Sequence, residues 1–462
     1  MKNLISLISA LIFSTLFYKQ NIGLNLFLFS VLTSSILILK NPELTKNRSI
    51  LLKIAAYLIT GVMVYFYNSS LVILANLIAF FTLIGSVSEP KSSIYVNWIN
   101  GIYTSIVSYF SRYYDRADLD DNNEKKKKID YLYWSKIIGI PLALSLIFIA
   151  LYRNGNPVFN DMVSKIDFSF INIQWIIFTG LGYYLFYNIS HPITVETLTS
   201  NDLRIGNNLK EINLNKSKIQ KVKKEKQLGL VLLVVLNLLI LFFLATDIFY
   251  LTEIYQMTAP QLSDQVHNGV NALIISNVLA IVIILYFFRG ELNFYNENKD
   301  LKKLTAIWIF LNLMVVFSTV LKNIEYMSSF GLTYKRIGVI FFLIATSIGL
   351  ITTYIKVFKI KNLWFLFRQN LSLAFAILVI STTINWDKLI THYNINYADV
   401  VDYNYLINLS NNNTFMLKAY AEKNDINLNF QKRIDQKYEN YIKDLKDNSW
   451  QEVVYDNSKI EK

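Results

Sequence analysis

Seven residues carry side chains that could work together on a polar ligand if the fold gathers them: Asp247, His267, Asn271, Lys322, Glu325, Tyr326 and Arg336. A carboxylate, an imidazole that titrates near neutrality and a cation at one depth can bind a polar solute or relay a proton. Each also has a plainer reading, which comes first. Asp247, His267 and Lys322 stand near the ends of apolar segments, where charges cap helices or form structural ion pairs. Asp247 has three candidate partners, Lys322, Arg336 and His267. Asn237, Asn277 and Asn312 fall inside apolar segments, where interhelical hydrogen bonds worth about 0.6 kcal/mol account for them. Arg368 suits a side chain reaching from an apolar segment toward headgroups.

Signatures of catalysis are missing. The chain has no G-x-S-x-G elbow, no phosphate-binding G-x-x-x-x-G-K-[ST] loop and no H-E-x-x-H pair. It has no cysteine, which excludes disulfides, Cys-ligated zinc and iron–sulfur clusters. Its 3 histidines are far apart in sequence, so no His-rich metal site is expected. No catalytic residue, metal site or cofactor is assigned.

The elements that must position these residues are apolar. Of the 462 residues, 53% are hydrophobic and 17% charged, against about 25% charged in an ordinary soluble domain. A spanning helix needs roughly 20 mostly apolar residues. Eleven segments qualify: 4–18, 24–39, 50–67, 71–87, 131–152, 170–189, 228–251, 270–288, 304–321, 337–357 and 363–384. The first resembles a signal peptide but lacks a small-residue cleavage site, so it is read as a retained span. The expected fold is all-α, a polytopic transmembrane bundle of about eleven spans with a small helical extramembrane tail at the C-terminus.

Charge orients the bundle. Basic residues gather in alternate gaps: Lys40 to Lys53, Lys125 to Lys128, Lys210 to Lys226 and Lys356 to Lys361. Short cytoplasmic loops retain Lys and Arg. Eleven spans with the N-terminus inside put all four gaps in the cytoplasm and the C-terminus outside. Residues 94–114 carry apolar positions at helical spacing opposite a Ser/Asn/Thr face. Counting them as a span would invert everything downstream, so they are read as an interfacial helix. The resulting divisions are 1–93 (spans 1 to 4), 94–130 (interfacial helix and charged loop), 131–384 (spans 5 to 11, with a basic loop at 190–227) and 385–462 (tail). Helices are expected in the tail at 398–409, 415–423 and 428–445. The exception to the charge rule is Lys322, Lys335 and Arg336, which fall outside.

The net charge of +12 lies in loops between apolar segments, which argues against nucleic acid as a partner. Lys221, Lys223, Lys224 and Lys226 suit anionic lipid headgroups of the bilayer. The mixed-charge tail could contact a protein partner.

Five strings carry a family likeness: "NGNPVF" at 154–159, "ATDIFYL" at 245–251, "VHNGVNALIISNVLA" at 266–280, "YMSSFGLTYKRIGVIFF" at 326–342, and "NWDKLITHYNI" with "DYNYLINLS" across 385–410. They resemble bacterial membrane proteins grouped as domain of unknown function 4173 and its relative 4153. The resemblance covers roughly the last two thirds of the chain and implies architecture, not chemistry.

The favoured expectation is a non-enzymatic scaffold or sensor of the bacterial cytoplasmic membrane, with a polar cluster at its outer face. The alternative is a secondary transporter for a small polar or anionic solute. A membrane enzyme acting on a lipid or envelope precursor ranks third, and would need Asp247 and His267 on one face.

Overall fold

Short polar residues punctuate the apolar sequence, and many of them start its helices. Asn47, Asn172, Asn362 and Asn385 each turn a side-chain oxygen onto a backbone N–H of the following first turn, and Ser69, Thr333 and Asp402 do the same. The computed structural model describes residues 2–120, 131–164, 172–211, 215–253 and 259–460. Among them the chain is all-helical, with no strand beyond an isolated bridge between Asn208 and Lys361.

The helices are α1 (Lys2–Phe17), α2 (Leu24–Lys40), α3 (Arg48–Phe66), α4 (Ser70–Ser88), α5 (Ile94–Asp120), α6 (Tyr131–Gly155), α7 (Pro157–Ser164), α8 (Ile173–Ile189) and α9 (Glu196–Arg204). They continue with α10 (Lys216–Glu253), α11 (Ala259–Phe287), α12 (Lys299–Phe330), α13 (Tyr334–Phe358) and α14 (Leu363–Ser381). The tail holds α15 (Trp386–Tyr397), α16 (Tyr403–Ile407), α17 (Thr414–Lys423) and α18 (Leu428–Asp447).

All eleven apolar segments of the sequence lie largely in helices, and among the described residues six helices are long and apolar enough to cross a membrane. These are α3, α4, the Lys216–Phe249 part of α10, α12, α13 and α14. Leu4–Phe17, Leu24–Lys40 and Ala272–Phe287 are apolar but shorter. The tail departs from its expected pattern. The helix expected at 398–409 shrinks to α16, because Asp402 caps a new start by accepting from Tyr405 N at 3.0 Å. Residues 386–397 form α15, capped by Asn385. The Lys125 to Lys128 run lies outside the described residues.

The chain divides into two compact units, Met1–Lys19 with Tyr103–Pro192, and Gln20–Ile102 with Ile193–Lys462. In the first, α1 and α8 run antiparallel. Ser14 and Thr179 share a hydroxyl hydrogen bond at 2.7 Å, and Phe13 stacks on Phe178. Gly182 lets the Phe13 ring come close, since a Cβ there would lie 2.7 Å from it.

In the second unit, helix ends sort into two sets. The tail packs on one set. Met327, Leu332 and Ile337, at the α12–α13 turn, share a core with Ile390, Leu406, Leu417 and Ile434. Leu24 N donates to Val453 O at 3.0 Å and Asn25 N to Gln451 O at 2.8 Å, while Phe66 packs its ring on Tyr455. The opposite ends carry the basic residues. Lys218 pairs with Glu291 at 2.9 Å and Arg289 with Glu225 at 3.1 Å. Lys356 is buried and donates to Phe288 O at 2.8 Å, placing a cation on the carbonyl end of α11. Between the two sets, α10, α11, α12 and α13 share an apolar core that includes Leu233, Ile284, Leu311 and Leu350.

The first turns of α5 show an inverted pattern. Asn97 and Asn100 are buried, whereas Ile99 and Ile102 are exposed. Asn100 accepts from Val195 N at 2.9 Å and donates to Thr199 at 3.0 Å. Asp202 accepts from Ser93 N at 2.8 Å, from Tyr95 at 2.7 Å and from Arg368 at 2.9 Å.

Candidate functional site

Asp247 sits near the C-terminal end of α10, where the helix has left its basic first turns far behind. It is 8% exposed. Its carboxylate accepts from Ser318 and Lys322, one turn apart on α12, with one oxygen for each donor. The i, i+4 spacing on α12 puts both donors on one face. Desolvating this pair is costly, and only mutual attraction plus the Ser318 hydrogen bond offsets it.

The pair borders a pocket of about 670 Å³ between α10, α11 and α12. Asn277 and Asn312 line the same pocket. Asn277 donates to Leu273 O at 2.9 Å, one turn back on its own helix, and its buried Oδ1 has no partner among the described residues. Asn312 likewise donates to Trp308 O at 2.7 Å, whereas Asn237 also reaches Leu304 O at 3.2 Å on α12. The interhelical role read for all three holds only for Asn237.

Tyr326 and Arg336 belong elsewhere. They border a second cavity, about 900 Å³, enclosed by the α3–α4 turn, the α12–α13 turn and the tail. The Arg336 guanidinium lies 3.9 Å from the Tyr326 ring centroid, a cation–π contact. Its Nη1 donates to Phe330 O at 2.7 Å and to Gly331 O. Those carbonyls end α12, where a positive charge is favoured. Gly331 has φ +77, and a Cβ there would lie 2.6 Å from Asn394 Oδ1, so the turn requires glycine.

Asp387 supplies the carboxylate of this cavity. It accepts from Tyr334 at 2.8 Å, from Ser410, and from Asn412 at 3.4 Å. Tyr405 donates no bond to it but accepts from Tyr334 N at 2.8 Å, and burial raises its hydroxyl pKa. Lys437 fastens the tail loop that forms one wall. Its Nζ donates to the carbonyls of Ile407 at 2.9 Å and Leu409 at 2.8 Å, and to Asn413 Oδ1 at 2.9 Å. Burial brings its pKa down to about 8, against the pull of Asp387.

Of the seven residues singled out in the sequence, four fall at two cavities. Asp247 and Lys322 form a pair, and Tyr326 and Arg336 form another at a different cavity. Glu325 is half-buried, and no hydrogen bond or ion pair reaches it among the described residues. The His267 and Asn271 backbones lie in α11, and their side chains lie outside the described residues. Lys221, Lys223, Lys224 and Lys226 stand on the first turns of α10, at the helix ends opposite the tail. Arg368 is held by Asp202 and by Asn207 at 2.7 Å, a fixed place that its lone position in an apolar segment did not reveal. Asp387, Trp386 and Tyr405 were missed as site residues. The signal was present, since the first two lie in the string "NWDKL". Among the described residues, no three His, Asp or Glu side chains gather as a metal site would require.

No curated protein and no solved structure matches the chain. The family described as a domain of unknown function, 4153, matches residues 4–418. That range reaches through the first four apolar segments, where no string had carried a resemblance, and stops within α17. With a match over so much of its length, the chain belongs to the family of domain of unknown function 4153.

Proposed function

We propose that the protein is a multi-pass protein of the bacterial cytoplasmic membrane that acts without catalysis, as a sensor or scaffold. The observation that carries this reading is the docking of the tail onto helix ends as the cover of a polar cavity. A tail attached by a core of its own and by backbone hydrogen bonds can pass a change in the cavity to α12 and α13, or the reverse. Its exposed Leu428 and Trp450 offer contacts to a protein partner.

In this reading the N-terminus is cytoplasmic, eleven segments cross, and the tail is outside. The sorting of helix ends supports it: basic ends of α10 and α13 lie away from the tail. Residues 94–114 then lie along the cytoplasmic interface. The buried Asn97 and Asn100, and the exposed Ile99 and Ile102, suit a helix whose polar face is covered by α9 and whose apolar face meets lipid. Lys221, Lys223, Lys224 and Lys226 meet anionic headgroups on that side. The five strings extend the kinship to the 4173 group.

The pocket beside Asp247 and Lys322 favours a second reading, a transporter for a small polar or anionic solute. Against it, α10, α12, α13 and α14 are uninterrupted, whereas transporters commonly break helices at the binding site. Because the chain has no cysteine, one experiment separates the two. Asn312→Cys is labelled with an impermeant maleimide in right-side-out and inverted vesicles. A sensor admits the reagent from the tail side at most. Labelling from both sides establishes alternating access and overturns the reading.

A further inference from the structure

The first turn of α13 is built against electrostatic expectation. It holds Lys335 and Arg336 and no acidic residue. The N-terminus of a helix carries partial positive charge and attracts anions, so two cations there repel it and each other. Both also break the inside bias of basic residues if the tail is external.

Three further observations point to what relieves the repulsion. Both side-chain hydrogen bonds of Arg336 among the described residues use Nη1, which leaves Nε and Nη2 for another partner, and no carboxylate among those residues pairs with it. Lys335 is exposed and lines the same cavity. Asn323 is 0% exposed and borders that cavity too, and its Oδ1 has no partner among the described residues. A buried acceptor left unpaired costs about 1–3 kcal/mol unless a donor arrives. The carboxylate present, Asp387, is engaged by Tyr334, Ser410 and Asn412. Leu71 and Val339 give the cavity an apolar edge beside Trp386.

We propose that this cavity binds a phosphate ester bearing free hydroxyls, of the phosphoglycerol type. The phosphoryl oxygens take the free Arg336 nitrogens, Lys335 and the α13 N-terminus, and a hydroxyl donates to Asn323 Oδ1. About 900 Å³ accommodates such a headgroup. The ligand comes either from an anionic glycerophospholipid in the outer leaflet or from a soluble glycerol phosphate. The inference rests on the sensor reading, with the cavity as its input site.

The test is calorimetric titration of the full-length protein in a neutral detergent with dihexanoyl phosphatidylglycerol, glycerol 3-phosphate and dihexanoyl phosphatidylcholine. Saturable binding of phosphatidylglycerol is expected, weakened about tenfold by Arg336→Gln, since a charge-assisted hydrogen bond is worth about 1.5–3 kcal/mol. Lys335→Gln, at an exposed position, tests the same contact without endangering the fold. Equal binding of glycerol 3-phosphate keeps the proposal and assigns the soluble source, whereas binding of the lipid alone assigns the membrane. Equal binding of phosphatidylcholine, no binding of either phosphoglycerol, or titrations that Arg336→Gln and Lys335→Gln leave unchanged would overturn it. The vesicle labelling at Asn312→Cys is independent of this result, so either idea can fail alone.

Discussion

A charged pair within an apolar bundle is held by its partners more than by its surroundings, and Asp247 with Lys322 shows the consequence. Asp247→Asn removes the carboxylate that the half-buried Lys322 meets and is expected to cost about 3 kcal/mol. Adding Lys322→Met removes the cation as well and recovers most of the loss. Thermal unfolding in detergent for the four corners of this double-mutant cycle measures the coupling, and additive losses would mean that the two side chains do not meet. Lys437 gives a different residue-scale expectation. Its pKa falls to about 8 in the folded tail because it is buried, and returns toward 10.5 on unfolding. Between these values the unfolded state holds more protons, so stability rises with pH across that window and is flat below it. Lys437→Met should remove this slope from the tail's unfolding midpoint between pH 8 and 10. Which residues matter was partly legible. The sequence marked Asp247 by its place in an apolar segment, but offered three partners for it. Only packing turns the face of α12 that carries Ser318 and Lys322 toward that carboxylate. Asp387 was passed over because an acid in a mixed-charge tail looks solvated, and no periodicity reports that a tail folds back.

At the scale of elements, the link between the α1–α2 turn and the end of the tail is short and specific. Glu452 accepts from Asn21 N at 2.5 Å and from Ser449 N at 3.0 Å. Burial works to raise its pKa, but these hydrogen bonds outweigh burial and leave it below the usual carboxylate range. Stability from a lowered carboxylate pKa is present above the unfolded value and is lost as pH falls through the folded one, so the link loosens in acid. Gly23 stands against the same residue: a Cβ there would lie 2.2 Å from Glu452 O, a backbone atom that cannot swing away. Gly23→Ala should therefore cost about 1–3 kcal/mol through overpacking. Limited proteolysis is the readout, with faster cleavage of the tail and unchanged far-ultraviolet circular dichroism. Tail cleavage at the wild-type rate would mean that the contact does not hold the tail. Helices themselves were well marked, because Asn, Ser, Thr and Asp caps sit where the apolar periodicity begins. The tail breaks were less so: the interval 398–402 reads as helix by periodicity, yet the cap at Asp402 restarts the chain there.

Across the whole molecule, the alternation of lysine-rich gaps is the longest-range information in the chain, and it makes a claim that local structure cannot. Helix number is ambiguous from apolar length alone, since α1 and α2 fall short of a comfortable span. Charge bears on the count, because short cytoplasmic loops retain Lys and Arg and basic ends then share one side. The exceptions, Lys322, Lys335 and Arg336, are the residues whose charge is met by Asp247, by helix-ending carbonyls and an aromatic face, or by the proposed phosphate ester, so they do not weaken the rule. The absence of cysteine permits a direct check. Single substitutions Ser217→Cys, at the basic start of α10, and Ser458→Cys, in the tail, are treated with an impermeant maleimide on intact spheroplasts and again after permeabilisation. Ser458→Cys should label at once and Ser217→Cys only after permeabilisation. A third variant, Thr45→Cys between α2 and α3, should behave like Ser217→Cys, because the proposed topology puts both an even number of spans from the N-terminus. If Ser458→Cys and Ser217→Cys label from the same side, the number of crossings between them is even, and residues 94–114 alone cannot account for it. One of the spans between α10 and α14 would then have to lie flat, and if both positions label only after permeabilisation the tail-covered cavity faces the cytoplasm, where a soluble phosphate ester and the anionic lipid of the inner leaflet are both at hand.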